Sequence, residues 1–97
     1  MADIEELKKL MKEEKFEEVI TLATELIAQA PENSKYYNSR GSAKYGLELY
    51  EDAISDYDKA VELNFNLVNA YRYRGAVNET LGRYTSAVLD YNKSFEI

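Results

Sequence analysis

Apolar residues recur at spacings of three and four along most of the chain, which is the period of an amphipathic helix. The first apolar stripe consists of Ile4, Leu7, Leu10 and Met11. It predicts a helix opened by Asp3, and a similar stripe between Phe16 and Ile27 predicts a second helix that ends before Pro31. Only one proline and four glycines occur in 97 residues, so little interrupts helices and we expect an almost entirely helical protein.

The rest of the pattern predicts four more helices, over about 34–47, 50–63, 68–81 and 84–97. Ser34 is the expected N-cap of the third helix, and Gly82 is the expected left-handed residue at the end of the fifth. Short links favour antiparallel neighbours. The sequence therefore predicts an all-α fold of three antiparallel helix pairs.

A repeat of 34 residues relates the last two predicted helix pairs, because residues 34–63 match residues 68–97 at many positions. The identical pairs are Tyr37 and Tyr71, Arg40 and Arg74, Gly41 and Gly75, Leu47 and Leu81, Tyr50 and Tyr84, Ala53 and Ala87, Asp56 and Asp90, Tyr57 and Tyr91, Lys59 and Lys93, and Glu62 and Glu96. A fixed period of this length predicts a stacked repeat. It divides the chain into units of about 1–33, 34–67 and 68–97.

Most of the recurring residues are expected to serve packing. Gly41 and Gly75 lie in the middle of predicted helices, where glycine costs about 1 kcal/mol relative to alanine. Close approach of the partner helix would offset that cost, with Ala53 and Ala87 providing the matching hollow. We expect the neighbouring tyrosines to fill the space within and between repeats; they are Tyr37, Tyr57, Tyr71 and Tyr91.

This pattern resembles the tetratricopeptide repeat family, whose 34-residue unit carries an aromatic residue, a glycine four positions later, an alanine, a second aromatic and a terminal proline. The second and third units match well, Pro31 closes the first, and Phe65 stands at the proline position of the second. The first unit matches less well, since Leu7 takes the glycine position. The resemblance implies an α-α superhelix, a solenoid of three repeats forming a single domain over residues 1–97.

The resemblance also implies a concave face, lined by the first helix of each repeat, that binds peptides. The corresponding residues are Ile4, Lys8, Met11, Lys12, Lys35, Asn38, Ser42, Tyr45, Asn69, Arg72, Ala76 and Glu79. Four of these are basic and one is acidic, on a chain whose net charge is -6. A focused positive concavity attracts anions, so we hypothesise that the groove prefers an acidic peptide or one with a free C-terminal carboxylate. The alternative is that the lysines are merely solvated.

Some members of the family bind the C-terminal aspartate of cytosolic chaperones through a clamp of lysine, asparagine, asparagine, lysine and arginine. The matching positions here are Ile4, Lys8, Ser39, Asn69 and Tyr73. None carries the required residue, so binding of a chaperone tail through that clamp is not expected.

Composition narrows the function further. The chain has no cysteine and no histidine, and no metal or cofactor site is predicted. Its acidic balance argues against nucleic acid, and the absence of a long apolar run argues against a membrane span. We expect a cytoplasmic, non-catalytic scaffold. The carboxylate pairs that an enzyme could use are Asp56 with Asp58 and Asp90 with Glu96, and we expect the first pair to lie on a solvated convex face.

The last predicted helix carries Val88, Tyr91, Phe95 and Ile97, and no following helix is predicted to cover them. Repeat proteins usually cap such a stacking surface with a polar-faced helix. An alternative function is therefore a structural module that associates with itself through residues 84–97, as a homodimer with two-fold symmetry.

Overall fold

The computed structural model describes residues 3–96 and consists of helices joined by short turns. The helices are α1 (Asp3–Lys12), α2 (Phe16–Gln29), α3 (Ser34–Gly46), α4 (Tyr50–Leu63), α5 (Val68–Thr80) and α6 (Tyr84–Glu96). They form antiparallel pairs, α1 with α2, α3 with α4 and α5 with α6, as the sequence predicted. The predicted bounds agree with these to within one or two residues.

Two stacked core clusters join the pairs. The first lies among α1, α2 and α3, with Leu7 and Val19 at its centre. The second lies among α3, α4 and α5 and includes Tyr37, Tyr57 and Val77. Because each cluster draws on successive pairs, a repeat buries its apolar face only by stacking on its neighbour.

The close approach predicted at the recurring glycines is confirmed. A Cβ atom added to Gly41 would lie 3.1 Å from the Tyr57 ring and 3.2 Å from the carbonyl oxygen of Ala53. At Gly75 it would lie 2.9 Å from the Tyr91 ring. Both contacts are tighter than ordinary carbon packing, which explains why glycine stands at each position despite its cost in a helix.

A left-handed residue ends the first helix of every pair, again at intervals of 34 residues. These residues are Glu14 (φ 58°), Glu48 (φ 64°) and Gly82 (φ 79°). In each turn the following amide donates to a carbonyl five residues back, for example from Arg83 to Asn78 at 2.8 Å. The prediction for Gly82 is confirmed, and two glutamates adopt the same strained conformation because the repeat geometry imposes it.

The predicted N-cap of α3 is wrong by one residue. The cap is Asn33, whose side chain accepts a hydrogen bond from the Lys35 amide at 3.0 Å, while Ser34 lies inside the helix. Asparagine and serine both cap helices well. Here the side-chain oxygen of Asn33 reaches the backbone amide of Lys35, the second residue of the helix.

The expectation that Asp56 lies on a solvated face is also wrong. Its side chain is buried and accepts hydrogen bonds from Arg40 Nε at 2.9 Å and Nη2 at 2.8 Å, and Lys44 Nζ lies 3.1 Å away. Hydrogen bonding to Asp56 raises the pKa of Arg40, so the guanidinium stays charged. Asp90 is buried in the same way against Arg74. The recurring arginine and aspartate thus join the two helices of a pair.

Candidate functional site

The first helices of the three pairs form the inner side of the stack. In residues 3–96, α1 contacts α3 and α3 contacts α5, whereas α2, α4 and α6 do not contact one another. The inner helices are therefore closer together than the outer ones, which curves the stack around α1, α3 and α5. This arrangement gives the molecule a concave face at the place that the sequence predicted.

A depression of about 280 Å³ crosses all three inner helices. Its lining is Ile4, Lys8, Lys35, Asn38, Ser39, Leu67 and Asn69. Five of these were predicted to face the groove, and the structure brings them together. Leu67 was missed because it precedes α5 and follows no helical period, and Ser39 had been considered only as a clamp position.

The lining of this depression is basic. Lys8 and Lys35 are both exposed, and no carboxylate contributes to the lining. Neither lysine makes an ion pair within the part of the chain that the structure describes. Their charges are thus available to a ligand, and each would gain an anionic partner at little cost in desolvation.

Asn38 lies at the floor of the depression with an unsatisfied amide. Its Oδ1 atom is buried and has no hydrogen-bond partner among residues 3–96. A buried polar atom in this state costs about 1–3 kcal/mol. Asn38 therefore brings an acceptor without a donor to the lining of the depression.

Arg72 and Asn69 form the rim on α5. Arg72 is exposed, and its Nη2 atom donates a hydrogen bond to Asn69 Oδ1 at 2.7 Å. Lys12 is exposed at the end of α1, whereas Met11 is half-buried and packs against the first core cluster. Arg72 therefore adds positive charge beside a lining residue of the groove, Met11 contributes mainly to the core, and a groove position for Lys12 stays a prediction.

Beyond the depression, toward the C-terminal ends of α3 and α5, two of the remaining predicted groove residues are hydrogen-bonded to tyrosines. Ser42 Oγ lies 2.9 Å from the hydroxyl of Tyr57, and Tyr91 donates a hydrogen bond to Glu79 at 2.8 Å. Burial raises the pKa of Tyr57 well above its usual value, so this phenol stays neutral. The sequence had assigned Tyr57 and Tyr91 to packing or self-association, because nothing in it showed that their hydroxyls reach Ser42 and Glu79.

The outer face of α6 exposes apolar side chains. Phe95 is 85% exposed and Val88 is 54% exposed, as predicted for a self-association surface. Leu89 and Tyr84, which the sequence analysis did not include, are about as exposed. Tyr91 is half-buried, and Ile97 lies outside the described residues.

The described residues offer neither a metal site nor a membrane span. Among residues 3–96, no three carboxylate, histidine or cysteine side chains are grouped to bind a metal ion. No helix in this range has the length and apolar content needed to cross a bilayer.

Comparison with known proteins agrees with the paired helices and the concave face. A model of the tetratricopeptide repeat matches residues 6–66 and again residues 39–95, which together cover most of the sequence. The chain belongs to the tetratricopeptide repeat family. It is a non-catalytic, all-helical member, and the resemblance noted in the sequence is confirmed.

Three relatives illustrate the similarity of this tetratricopeptide repeat domain. Hsc70-interacting protein 1 of Drosophila melanogaster is 37% identical over 62 residues, which is 64% of this chain and 16% of that protein. The chain thus spans about a sixth of the length of the curated relatives that it matches. The first repeat domain of Spaghetti (RPAP3), solved with the HSP90 peptide SRMEEVD, is 32% identical with a TM-score of 0.92, over 98% of this chain and 75% of that one.

The third relative is the TPR2B domain of yeast Sti1, solved as a complex with pHsp70. It is 26% identical with a TM-score of 0.88, over 97% of this chain and 78% of that one. The positions that match the chaperone clamp fall largely within the depression described above. Ile4, Lys8, Ser39 and Asn69 all line it, with residues that differ from the clamp pattern.

Proposed function

We propose that this tetratricopeptide repeat domain is an interaction module whose concave groove binds an acidic segment of a partner protein. The observation that carries the proposal is the depression lined by Lys8 and Lys35, which spans all three inner helices and contains no carboxylate. The relative solved with an HSP90 peptide, at 32% identity and a TM-score of 0.92, supports a peptide ligand.

The mode of recognition differs from a two-carboxylate clamp. Ile4 and Tyr73 stand where the clamp has a lysine and an arginine, so two of the cationic groups that would hold the terminal carboxylates are missing. Lys8 and Lys35 are flexible point charges, which attract any nearby carboxylate without fixing its orientation. The proposed ligand is therefore acidic along its length, and its terminal carboxylate counts as one charge among several.

Titration with acetylated SRMEEVD tests this proposal. We expect binding that weakens as salt rises, and about a fivefold loss when both glutamates are replaced by glutamine, since each exposed ion pair contributes about 0.2–1 kcal/mol. Amidation of the C-terminus should cost less than the two glutamines. Affinity that is insensitive to salt, or that improves when lysines replace the glutamates, would contradict the proposal.

A second candidate function is self-association through α6, and the exposure of its apolar face favours it. Under the 34-residue repeat, Val88 is equivalent to Ile54 and Phe95 is equivalent to Val61. Both of these α4 residues pack into the second core cluster. On α4, α5 covers the apolar residues at these positions. The equivalent residues of α6 are of the same kind. In residues 3–96 nothing covers them on α6.

The partner that fits this face best is the same face of a second copy. Asp3 and Lys9 on the outer side of α1 are equivalent, under the repeat, to the buried Tyr71 and Val77 of α5. Head-to-tail stacking of α1 of one copy on α6 of the next would therefore place charges against Val88 and Phe95. Two α6 helices related by a two-fold axis bring apolar residues together instead. A closed dimer is therefore expected rather than an open filament.

Sedimentation at high micromolar concentration tests the dimer. We expect a dimer that dissociates on dilution, and a monomer when Val88 and Phe95 are both replaced by aspartate, because charges would then be buried at the interface. Phe65→Asp is the control, since Phe65 is 66% exposed in the link between α4 and α5. A monomeric natural sequence at this concentration would refute self-association.

A further inference from the structure

A second depression lies on the outer side of the stack, away from the concave face. It has a volume of about 380 Å³ and lies between α4 and α6, which do not contact each other. Its lining includes Ile54 and Asp58 of α4, Arg74 and Asn78 of α5, and Leu89 and Asp90 of α6. We call this depression the outer hollow.

The equivalent place between α2 and α4 is filled by a lysine of the chain itself. Under the 34-residue repeat, Asn78 is equivalent to Lys44. The side chain of Lys44 is only 18% exposed, and its Nζ atom lies 3.1 Å from Oδ2 of the buried Asp56. Arg40 crosses the same place and donates hydrogen bonds to Thr24 on α2 and to Asp56 on α4. Two cations thus surround one carboxylate there.

The outer hollow lacks the ammonium group that Lys44 supplies. Asn78 Nδ2 donates a hydrogen bond to Asp90 Oδ2 at 3.1 Å, so the shorter side chain replaces the hydrogen bond of a lysine but not its charge. Arg74 also carries a second carboxylate, because its Nη1 atom donates to Asp58 Oδ1 at 2.8 Å. The outer hollow therefore has one cation for two carboxylates.

Arg83, which also lines the outer hollow, does not supply the missing charge. Its two terminal nitrogens both donate hydrogen bonds to the carboxylate of Glu51 on α4. With this pair included, two guanidinium groups face three carboxylates. The outer hollow therefore attracts a cation rather than an anion.

We propose that the outer hollow binds a lysine side chain of a partner protein, whose ammonium group takes the place that Lys44 fills between α2 and α4. Ile54 and Leu89 provide apolar walls on α4 and α6, against which the aliphatic stem of a lysine packs while its charge lies near Asp58 and Asp90. This surface is separate from the basic groove. The inference therefore adds a second binding site to the domain and does not depend on the first.

Lysine suits the outer hollow better than arginine does. Both oxygens of Asp90 already accept hydrogen bonds from the planar guanidinium of Arg74, at 2.7 and 3.0 Å. A second guanidinium would therefore find no free edge of this carboxylate for a two-bonded contact. A lysine ammonium acts as a compact point charge and needs no such edge.

NMR titration of the natural sequence with the peptide acetyl-Gly-Lys-Gly-amide tests this site. We expect the backbone amide signals of Asp58, Ser86 and Leu89 to shift and to saturate at millimolar peptide, because contacts between exposed charges are weak. The same peptide with glutamine or glutamate in place of lysine should leave these signals almost unmoved. Equal shifts with the glutamine peptide, or larger shifts with the glutamate peptide, would overturn the proposal.

Asn78→Lys should close the site from within. The new side chain reproduces the arrangement of Lys44 with Asp56, so the variant should be at least as stable to heat as the natural sequence and should no longer bind the lysine peptide. A folded variant that binds the peptide with unchanged affinity would contradict the proposal.

A milder pair of variants provides a matched control. Asp58→Asn should weaken binding of the lysine peptide about threefold, because it removes one of the carboxylates of the site. Asp52→Asn makes the same change at an exposed position of α4 outside the outer hollow and should leave the affinity unchanged. Equal affinity of these two variants would show that the peptide responds to net charge alone and would also overturn the proposal.

Discussion

Replacing Tyr57 with alanine is expected to lower the free energy of unfolding by about 3–5 kcal/mol. Tyr57 is fully buried and is the largest such side chain among the described residues. Its ring fills the space left by Gly41 and contacts Tyr73, so its removal leaves a cavity between two helix pairs. A small domain has a free energy of unfolding of only about 5–15 kcal/mol. The midpoint temperature of thermal unfolding should therefore fall by more than about 10 °C.

Two variants separate the effect of the cavity from other effects. Tyr57→Phe keeps the ring and removes only the hydroxyl bonded to Ser42, so it should cost about 1 kcal/mol. Tyr91→Ala removes the equivalent ring from the third repeat, where the side chain is only half-buried, and should cost clearly less than Tyr57→Ala. Equal losses at positions 57 and 91 would show that stacking between repeats is not the main source of stability.

The sequence predicted the helices well because the apolar period and the 34-residue repeat constrain each other. A position such as Gly41 has the same environment as Gly75, so one packing argument served both repeats. The concave face followed from the family resemblance. Its basic depression could be anticipated because each lysine occupies an inward position of a helix whose orientation the repeat already fixes.

The features that were missed depend on distances between helices. Asp56 looked like one of several surface carboxylates, and only the fold shows that Arg40 and Lys44 converge on it. Glu48 carries no local signal for a left-handed backbone, which the turn between paired helices imposes. The tyrosines around Ser42 were assigned to packing for the same reason, since a repeat pattern does not show which end of a buried ring reaches the groove.

Reversing the charges of Lys8 and Lys35 should have the largest effect on binding. Both lysines line the same depression and have no carboxylate partner within residues 3–96, so glutamate at each position turns two attractions into two repulsions. Exposed pairs contribute up to about 1 kcal/mol each, so we expect affinity for an acidic peptide to fall at least about tenfold. The exposed side chains should tolerate the change without loss of stability.

A matched control changes the net charge by the same amount outside the groove. Lys9 and Lys15 are both exposed and line no part of the depression, and Lys9 lies beside Lys8 on α1. Replacing both with glutamate keeps any long-range effect of net charge and leaves the groove intact. This double variant should retain most of the affinity for the acidic peptide.

The most direct test is the affinity of acetylated SRMEEVD for the natural sequence and for the two doubly substituted variants, measured at one salt concentration. The groove function predicts at least about a tenfold loss for Lys8→Glu with Lys35→Glu, and little change for Lys9→Glu with Lys15→Glu. Equal affinity of all three proteins, or an equal loss in both variants, would contradict binding of acidic segments in the groove.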